Sequence, residues 1–272
     1  MVIHHGSHSK GKDMKTLFVV ADVHGFFKEM CHALAAVGFD IHNDNHIFVS
    51  CGDLLDRGKE PIACLHFVNM LPENRKILIM GNHEELMVKA IRTGYFNFAD
   101  KHNGTDDTVY RVTGIRPVDT INPAAAERTA LMSMMANEDW DKYIHSCINY
   151  YETDKYIFVH GYVPIQNDGD KILVDPDWRD DFANWEQARW LNGMSMWKMG
   201  ARIPGKTIVC GHWHSSYGHA RFHDICREFD KDENGVLKSI HTPFYEDGLI
   251  AMDACTVYSG FVNCIKIEVE DE

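Results

Sequence analysis

Short apolar runs alternate with stretches of helical period through the first third of the chain. Residues 16–21, 46–51 and 76–80 are rich in β-branched and other apolar residues and are bounded by polar turns, a pattern that predicts buried strands. Between and after them, residues 26–37, 61–70 and 84–92 predict helices, the first ending at Gly38 and the third at Gly94. Strands alternating with helices imply a βαβαβ unit with parallel strands and right-handed crossovers. In such sheets ligands collect beyond the carboxyl ends of the strands.

The pattern then changes. Residues 95–141 carry the breakers Asn103-Gly104, Arg116-Pro117 and Asn122-Pro123 and predict a loop region followed by a helix over 124–135, a cap-like insertion beside the strand ends. Residues 149–152 and 155–160, separated by Thr153-Asp154, predict a β-hairpin. A Trp-rich helical segment over 185–197 leads to a strand at 207–210, and residues 248–253 and 261–267 predict a closing antiparallel pair. The expected fold is α/β: two sheets packed as a β-sandwich flanked by helices, one domain over 14–272, with the second sheet the more antiparallel.

Chemistry gathers at the predicted strand ends. Asp22-Val23-His24-Gly25 places a carboxylate and an imidazole two residues apart past the first strand, where both can face one side and serve as ligands of a first metal. Asp53 follows Gly52 after the second strand, where a carboxylate can bridge two cations roughly 3.5 to 4 Å apart. Asp56 and Arg57 come next; a guanidinium there can grip a phosphate oxygen, and Asp56 can orient a neighbouring group. Asn82 offers a neutral carbonyl ligand for a second metal, and His83, with Asp56 as its partner, is the candidate general acid. His160 and His212 each end a later apolar strand and stand beside glycine. One such phrase alone reads equally as a turn or a helix cap. Five of them in one chain point to a dinuclear metal centre at the strand C-terminal ends.

Composition narrows the partners. Forty acidic against 27 basic residues give a formal charge of −13, which repels a polyanionic backbone and excludes broad nucleic-acid binding. Hydrophobic residues make up 45%, but no apolar run approaches the length of a membrane span, so no membrane partner is expected. The eight cysteines form no Cys-x-x-Cys pair and read as reduced, which points to a cytoplasmic protein, a monomer or weak oligomer. Residues 1–13, with His4, His5 and His8, read as a disordered tail or cloning remnant rather than a secretory signal.

Asp-x-His-Gly, Gly-Asp-x-x-Asp-Arg-Gly, Gly-Asn-His-Glu, a later His-Gly and a final Gly-His resemble the calcineurin-like metallophosphoesterases. Asp-Arg-Gly and Asn-His-Glu are similar to the bacterial and phage phosphoprotein phosphatase branch. The resemblance spans residues 16 to about 265. It implies a metallophosphoesterase-type sandwich, with Asp22, His24 and Asp53 on the first metal and Asp53, Asn82, His160 and His212 on the second. It further implies His83 with Asp56 as the acid pair, Arg57 and Asn82 at the substrate phosphate, and a second phosphate-binding arginine, for which Arg189 is the candidate with Arg179 behind it. Two departures stand out. Ala21 replaces the usual glycine before the first aspartate, and the last motif reads Gly-His-Trp-His, so His214 is an additional candidate ligand.

The expected activity is hydrolysis of phosphate monoesters by attack of a metal-bound hydroxide. The substrate is phosphoserine or phosphothreonine in proteins, or else a small-molecule phosphoester. Gly211-His212-Trp213 also resembles the diadenosine tetraphosphate hydrolases, which makes dinucleotide polyphosphate the alternative substrate; a metal-dependent binding module without catalysis is the reading from another class. The N/O donor set suits two divalent ions, manganese first and iron or zinc next.

Three other patterns are turned down. Residues 200–207 match the phosphate-loop pattern but precede a predicted strand instead of opening a helix. Residues 230–235 copy half an EF-hand loop whose twelfth position is His241 instead of glutamate. Asn103-Gly104-Thr105 is a glycosylation pattern without secretory context.

Overall fold

In the first strand both faces are buried, which is why it reads as an unbroken apolar run. Leu17, Val19 and Ala21 point between two sheets, whereas Phe18 and Val20 point towards helices on the outer side. The computed structural model describes residues 14–119, 121–169, 171–181 and 183–270, so the tail expected over 1–13 lies outside the described residues. The strands are β1 (Met14–Val20), β2 (His46–Ser50), β3 (Lys76–Ile79), β4 (Cys147–Ile148), β5 (Tyr151–Glu152), β6 (Tyr156–Phe158), β7 (Ile165–Asp168), β8 (Lys171–Val174), β9 (Thr207–Cys210), β10 (Phe244–Glu246), β11 (Leu249–Ala251) and β12 (Cys264–Glu270).

The first sheet runs β12-β1-β2-β3-β4, with β1 to β4 parallel and β12 antiparallel along the whole of β1. The second runs β10-β11-β9-β6-β5, and its three central strands are mutually parallel. The helices Phe27–Ala36, Pro61–Met70 and Asn82–Thr93 cover the outer face of the first sheet through Met30, Leu34, Leu65, Val68 and Met87. Trp178, Trp185, Met194 and Trp197 cover the outer face of the second, while Phe158, Val209 and Met252 meet Val49 and Ile79 between the sheets. The result is a sandwich in which the ends of β1, β2, β3, β6, β9 and β11 supply the site. Among the described residues no helix is long and apolar enough to cross a membrane, and all eight cysteines are unpaired.

The hairpin of β5 and β6 has Tyr151 opposite Phe158, as its turn implies. Two expectations are corrected. Residues 248–253 and 261–267 do not pair with each other: β11 pairs with β10 and β9, and β12 crosses back to β1, where Ile265, Ile267 and Val269 pack into the inter-sheet core. The second sheet is the more antiparallel of the two, as expected, with two antiparallel pairs against one in the first; its centre is parallel because those strands are joined by long crossovers. Residues 95–141 hold more helix than a loop and one helix. Helices Phe98–Asn103 and Thr105–Thr113 precede Pro123–Met135 and Glu138–Ser146, and Val109, Leu131, Trp140 and Tyr143 belong to the core of the first sheet. Local capping explains the extra helices: Asn97 and Asp100 form a reciprocal capping box, and Gly104 closes the first helix in the left-handed conformation.

The turned-down phosphate-loop pattern runs from helix Gly193–Lys198 into β9, and Lys206 Nζ donates to the Thr153 carbonyl at 2.6 Å. In the EF-hand look-alike, Asp232 Oδ1 accepts from the amides of Asn234 at 2.9 Å and Val236 at 2.8 Å, a local turn.

Candidate metal centre

Asp22, His24, Asp53, Arg57 and His212 all have positive φ, between 51° and 73°. They are five of the eight non-glycine residues in that region among the described residues. Left-handed backbone is unfavourable for such side chains and persists where the surroundings over-determine it. Here the loops brace one another: His24 N–H donates to the Asp53 carbonyl at 2.9 Å, Gly25 N–H to Leu54 at 2.7 Å and Gly211 N–H to His160 at 2.8 Å. Close approach requires glycine at several of these turns, Gly81 and Gly211 among them. A Cβ on Gly81 would overlap Asp53 Oδ1, and one on Gly211 would overlap Asp22 Oδ2.

His160 Nδ1 lies 2.7 Å from the Cys51 carbonyl, which can only accept, so this nitrogen carries the hydrogen. Its Nε2 then faces Asn82 Oδ1 at 2.8 Å and Asp53 Oδ2 at 3.3 Å. With the ring neutral, three electron-pair donors converge, an arrangement that a cation satisfies. A ring nitrogen of His212 completes a cluster with Asp53 and His160 whose donor atoms all lie within 4.8 Å of one another. Burial, followed by the neighbouring His160, pushes the His212 pKa down to about 3. It is therefore neutral and available as a donor.

Asp53 belongs also to a second cluster, with His24 and His83, within the same 4.8 Å limit. One carboxylate shared between two donor clusters is what a bridging ligand requires. Burial pulls the Asp53 carboxyl up, but the His160 and His83 imidazoles together hold it well below the usual carboxylate range. The donor chemistry of both clusters fits a pair of divalent ions.

The first-metal side differs from the sequence expectation in one respect. Both carboxylate oxygens of Asp22 accept the His212 main-chain N–H, at 3.1 and 2.9 Å, and Asp22 is absent from both donor clusters. Burial, then the charges of Asp253 and Asp53, push its carboxyl up. His24 Nδ1 is buried without a partner, while its Nε2 meets Arg57 Nη1 at 3.0 Å. Arg57 is held at its other nitrogen by Asn103 Oδ1, at 3.1 Å.

His83 Nδ1 lies 2.8 Å from Asp56 Oδ2, and its Nε2 lies 3.8 Å from Asp53 Oδ2. Burial opposes the charged ring, but the charge of Asp53 and the bond to Asp56 outweigh it and raise the His83 pKa. Glu84 does more than begin a helix. It accepts the amides of Asp53, Leu54 and Gly81 and the Tyr143 hydroxyl, tying β2 and β3 ends together.

Two expected site residues are engaged by neighbours other than the donors. His214 Nδ1 meets Ser216 Oγ at 2.7 Å and its Nε2 faces Glu228 at 3.5 Å, because the turn into helix Ser215–Arg221 rotates it away from the donors. Arg189 is buried against Glu85 at 3.1 Å and Asn149 at 2.5 Å, while Arg179 pairs with Glu152 at 2.7 Å. Asp253 was missed by sequence reasoning. It is buried just past β11, its charge acts on Asp22, and burial pushes its own pKa up to about 6. Its signal resembled that of the donors, an apolar strand ending in a carboxylate, but without the flanking glycine.

A family model described as calcineurin-like phosphoesterase matches residues 15–216. A symmetrical bis(5'-nucleosyl)-tetraphosphatase of Buchnera aphidicola is 27% identical over 161 residues, 50% of this chain and 56% of that protein. Serine/threonine-protein phosphatase 1 of Salmonella typhimurium is 35% identical over 81 residues, 30% of this chain and 35% of that protein. The chain thus spans less than two thirds of either relative. A solved structure described as a candidate diadenosine tetraphosphatase superposes with a TM-score of 0.51 at 15% identity, covering 95% of this chain and 94% of that one, and shares the fold. Since the matched span takes in every donor from Asp22 to His212, the chain belongs to the calcineurin-like phosphoesterase family.

Proposed function

We propose that this protein is a dinuclear-metal-dependent phosphoesterase that hydrolyses phosphate monoesters, with phosphoserine or phosphothreonine in proteins as the first substrate class. The observation that carries the reading is the buried His83–Asp56 pair, at 2.8 Å, one residue along from the donor Asn82. A scaffold that only bound metal would have no use for an acid pair.

Two divalent cations, when bound, supply Lewis-acid charge and an activated water. Asp53, Asn82, His160 and His212 would hold one ion, and Asp53 and His24, with Asp22 as the remaining candidate, would hold the other. Arg57 neutralises charge on the phosphoryl oxygens. Asp56 keeps the hydrogen of His83 on Nδ1, so the proton for the leaving oxygen is delivered from Nε2. Manganese is the first choice of ion by donor type, iron or zinc the next.

A second substrate reading is favoured by the rim. Trp190 and Trp213, 45% and 38% exposed, stand with ring centroids 5.8 and 6.0 Å from that of His212, a surface on which a nucleobase can stack. It supports a dinucleotide polyphosphate as the alternative substrate.

A panel of phosphopeptide, p-nitrophenyl phosphate and dinucleotide polyphosphate, each with manganese, iron or zinc, tests both readings. Metal-dependent release of phosphate from the peptide, reduced roughly 100-fold or more by His83→Asn, is the expected result. Symmetric cleavage of the dinucleotide as the preferred reaction replaces the first substrate by the second, and no hydrolysis of any member overturns the function.

A further inference from the structure

The segment Asn103-Gly104-Thr105 is the hinge between helices Phe98–Asn103 and Thr105–Thr113, and each of its residues touches Asp56 or Arg57. Thr105 is fully buried, and its hydroxyl donates to Asp56 Oδ2 at 2.7 Å. The same oxygen receives His83 Nδ1 at 2.8 Å, while Asp56 Oδ1 is buried without a partner. Two donors on a single oxygen fix the rotation of the carboxylate, and with it the plane of the imidazole. A helical threonine commonly bonds the carbonyl one turn back, as Thr108 does to Gly104 at 3.2 Å. Thr105 commits its one hydrogen to Asp56 instead.

Asn103 acts on the neighbouring side chain. Its Nδ2 donates to the Ala99 carbonyl at 2.9 Å, which leaves Oδ1 as the acceptor for Arg57 Nη2 at 3.1 Å. Gly104, at φ +81°, lies flat on the Arg57 backbone: a Cβ there would stand 3.1 Å from the Arg57 nitrogen and 3.3 Å from its Cα. That contact supports Arg57 in its own left-handed conformation, φ 73°.

We propose that Asn103 and Thr105 are positioning residues of the phosphoesterase site, Thr105 aiming His83 through Asp56 and Asn103 aiming Arg57. The inference rests on the reading of His83 as the leaving-group acid. The helical segment 95–141 thereby enters the reaction centre from the side, through Asp56 and Arg57.

The test compares a phosphoserine peptide, whose alkoxide leaving group needs a proton, with p-nitrophenyl phosphate, whose leaving group scarcely does. In the manganese-loaded full chain, Thr105→Val is expected to lower the peptide-to-aryl ratio of kcat roughly tenfold or more, and Thr105→Ser to restore it. Thr105→Ala, which cannot overpack the site, is measured in parallel in case the valine variant does not fold. Asn103→Ala is expected to weaken inhibition by inorganic phosphate by roughly threefold or more while sparing the ratio. Equal losses on the two esters, or no rescue by serine, overturn the role of Thr105, and unchanged phosphate inhibition overturns that of Asn103. A wild-type protein that hydrolyses neither ester overturns the proposed function, and the inference with it.

Discussion

His160 and the main-chain carbonyl of Cys51 are 2.7 Å apart, and this one hydrogen bond determines which atom of His160 faces the donor cluster. The consequence is a measurable affinity for divalent ions. Manganese at about a hundredfold excess over its Kd is expected to stabilise the protein by about 2.7 kcal/mol, raising Tm by at least about 5 °C, and chelation should reverse the shift. His160→Ala should remove most of the response in a thermal melt. An unchanged Tm with manganese, iron and zinc would remove the basis for a metal centre.

Arg57 is expected to act by geometry as well as charge, since Asn103 and His24 hold both of its terminal nitrogens. Arg57→Ala and Arg57→Lys should both raise KM for a phosphate ester by roughly tenfold or more, because an ammonium cannot reproduce the planar fork. Full recovery by lysine, in steady-state kinetics, would show that charge alone suffices.

The tryptophan rim separates the two substrate classes. If a base stacks there, Trp190→Ala and Trp213→Ala should each cost roughly 1–3 kcal/mol of binding to a dinucleotide polyphosphate, read as KM, with a smaller effect on a phosphopeptide. Equal effects on both substrates would argue for a purely structural rim.

Acid sensitivity is expected away from the metal donors. His241 is buried; its Nε2 meets Ser239 Oγ at 2.9 Å, it lies against His214, Phe229 and Tyr258, and burial first, then the charge of His214, pushes its pKa down to about 4. A histidine depressed in the native state binds its proton more readily when unfolded. Its contribution to stability is therefore present above about pH 6.5 and is lost as pH falls towards 4. His241→Gln should flatten the decline of Tm over that window. An unchanged slope would place the acid sensitivity in other groups.

The donors were legible because each announces itself locally, as an apolar strand followed by a ligand and a glycine. The parallel order of β1 to β3 was legible for the same reason, since period and spacing are short-range signals. What sequence could not convey was long-range choice. That β12 returns to β1 rather than pairing with β11 depends on which sheet edge is free, and nothing in residues 261–267 encodes it. The same holds for Arg189, whose partners Glu85 and Asn149 lie 104 and 40 residues away, and for Thr105, which meets Asp56 across 49. Asp253 was missed for a local reason, because Ala254 and Cys255 stand where the other phrases have glycine.

The left-handed backbone at Asp22, His24, Asp53, Arg57 and His212 carries an implication for anyone seeking a hardier version of this protein. Each such position costs about 1–3 kcal/mol relative to a residue at ease there, so glycine is the obvious improvement at all five. Those are the very side chains proposed to hold the ions and the phosphate. Screens for thermal tolerance would be drawn to the site itself, and their best scorers there would be stable and inert.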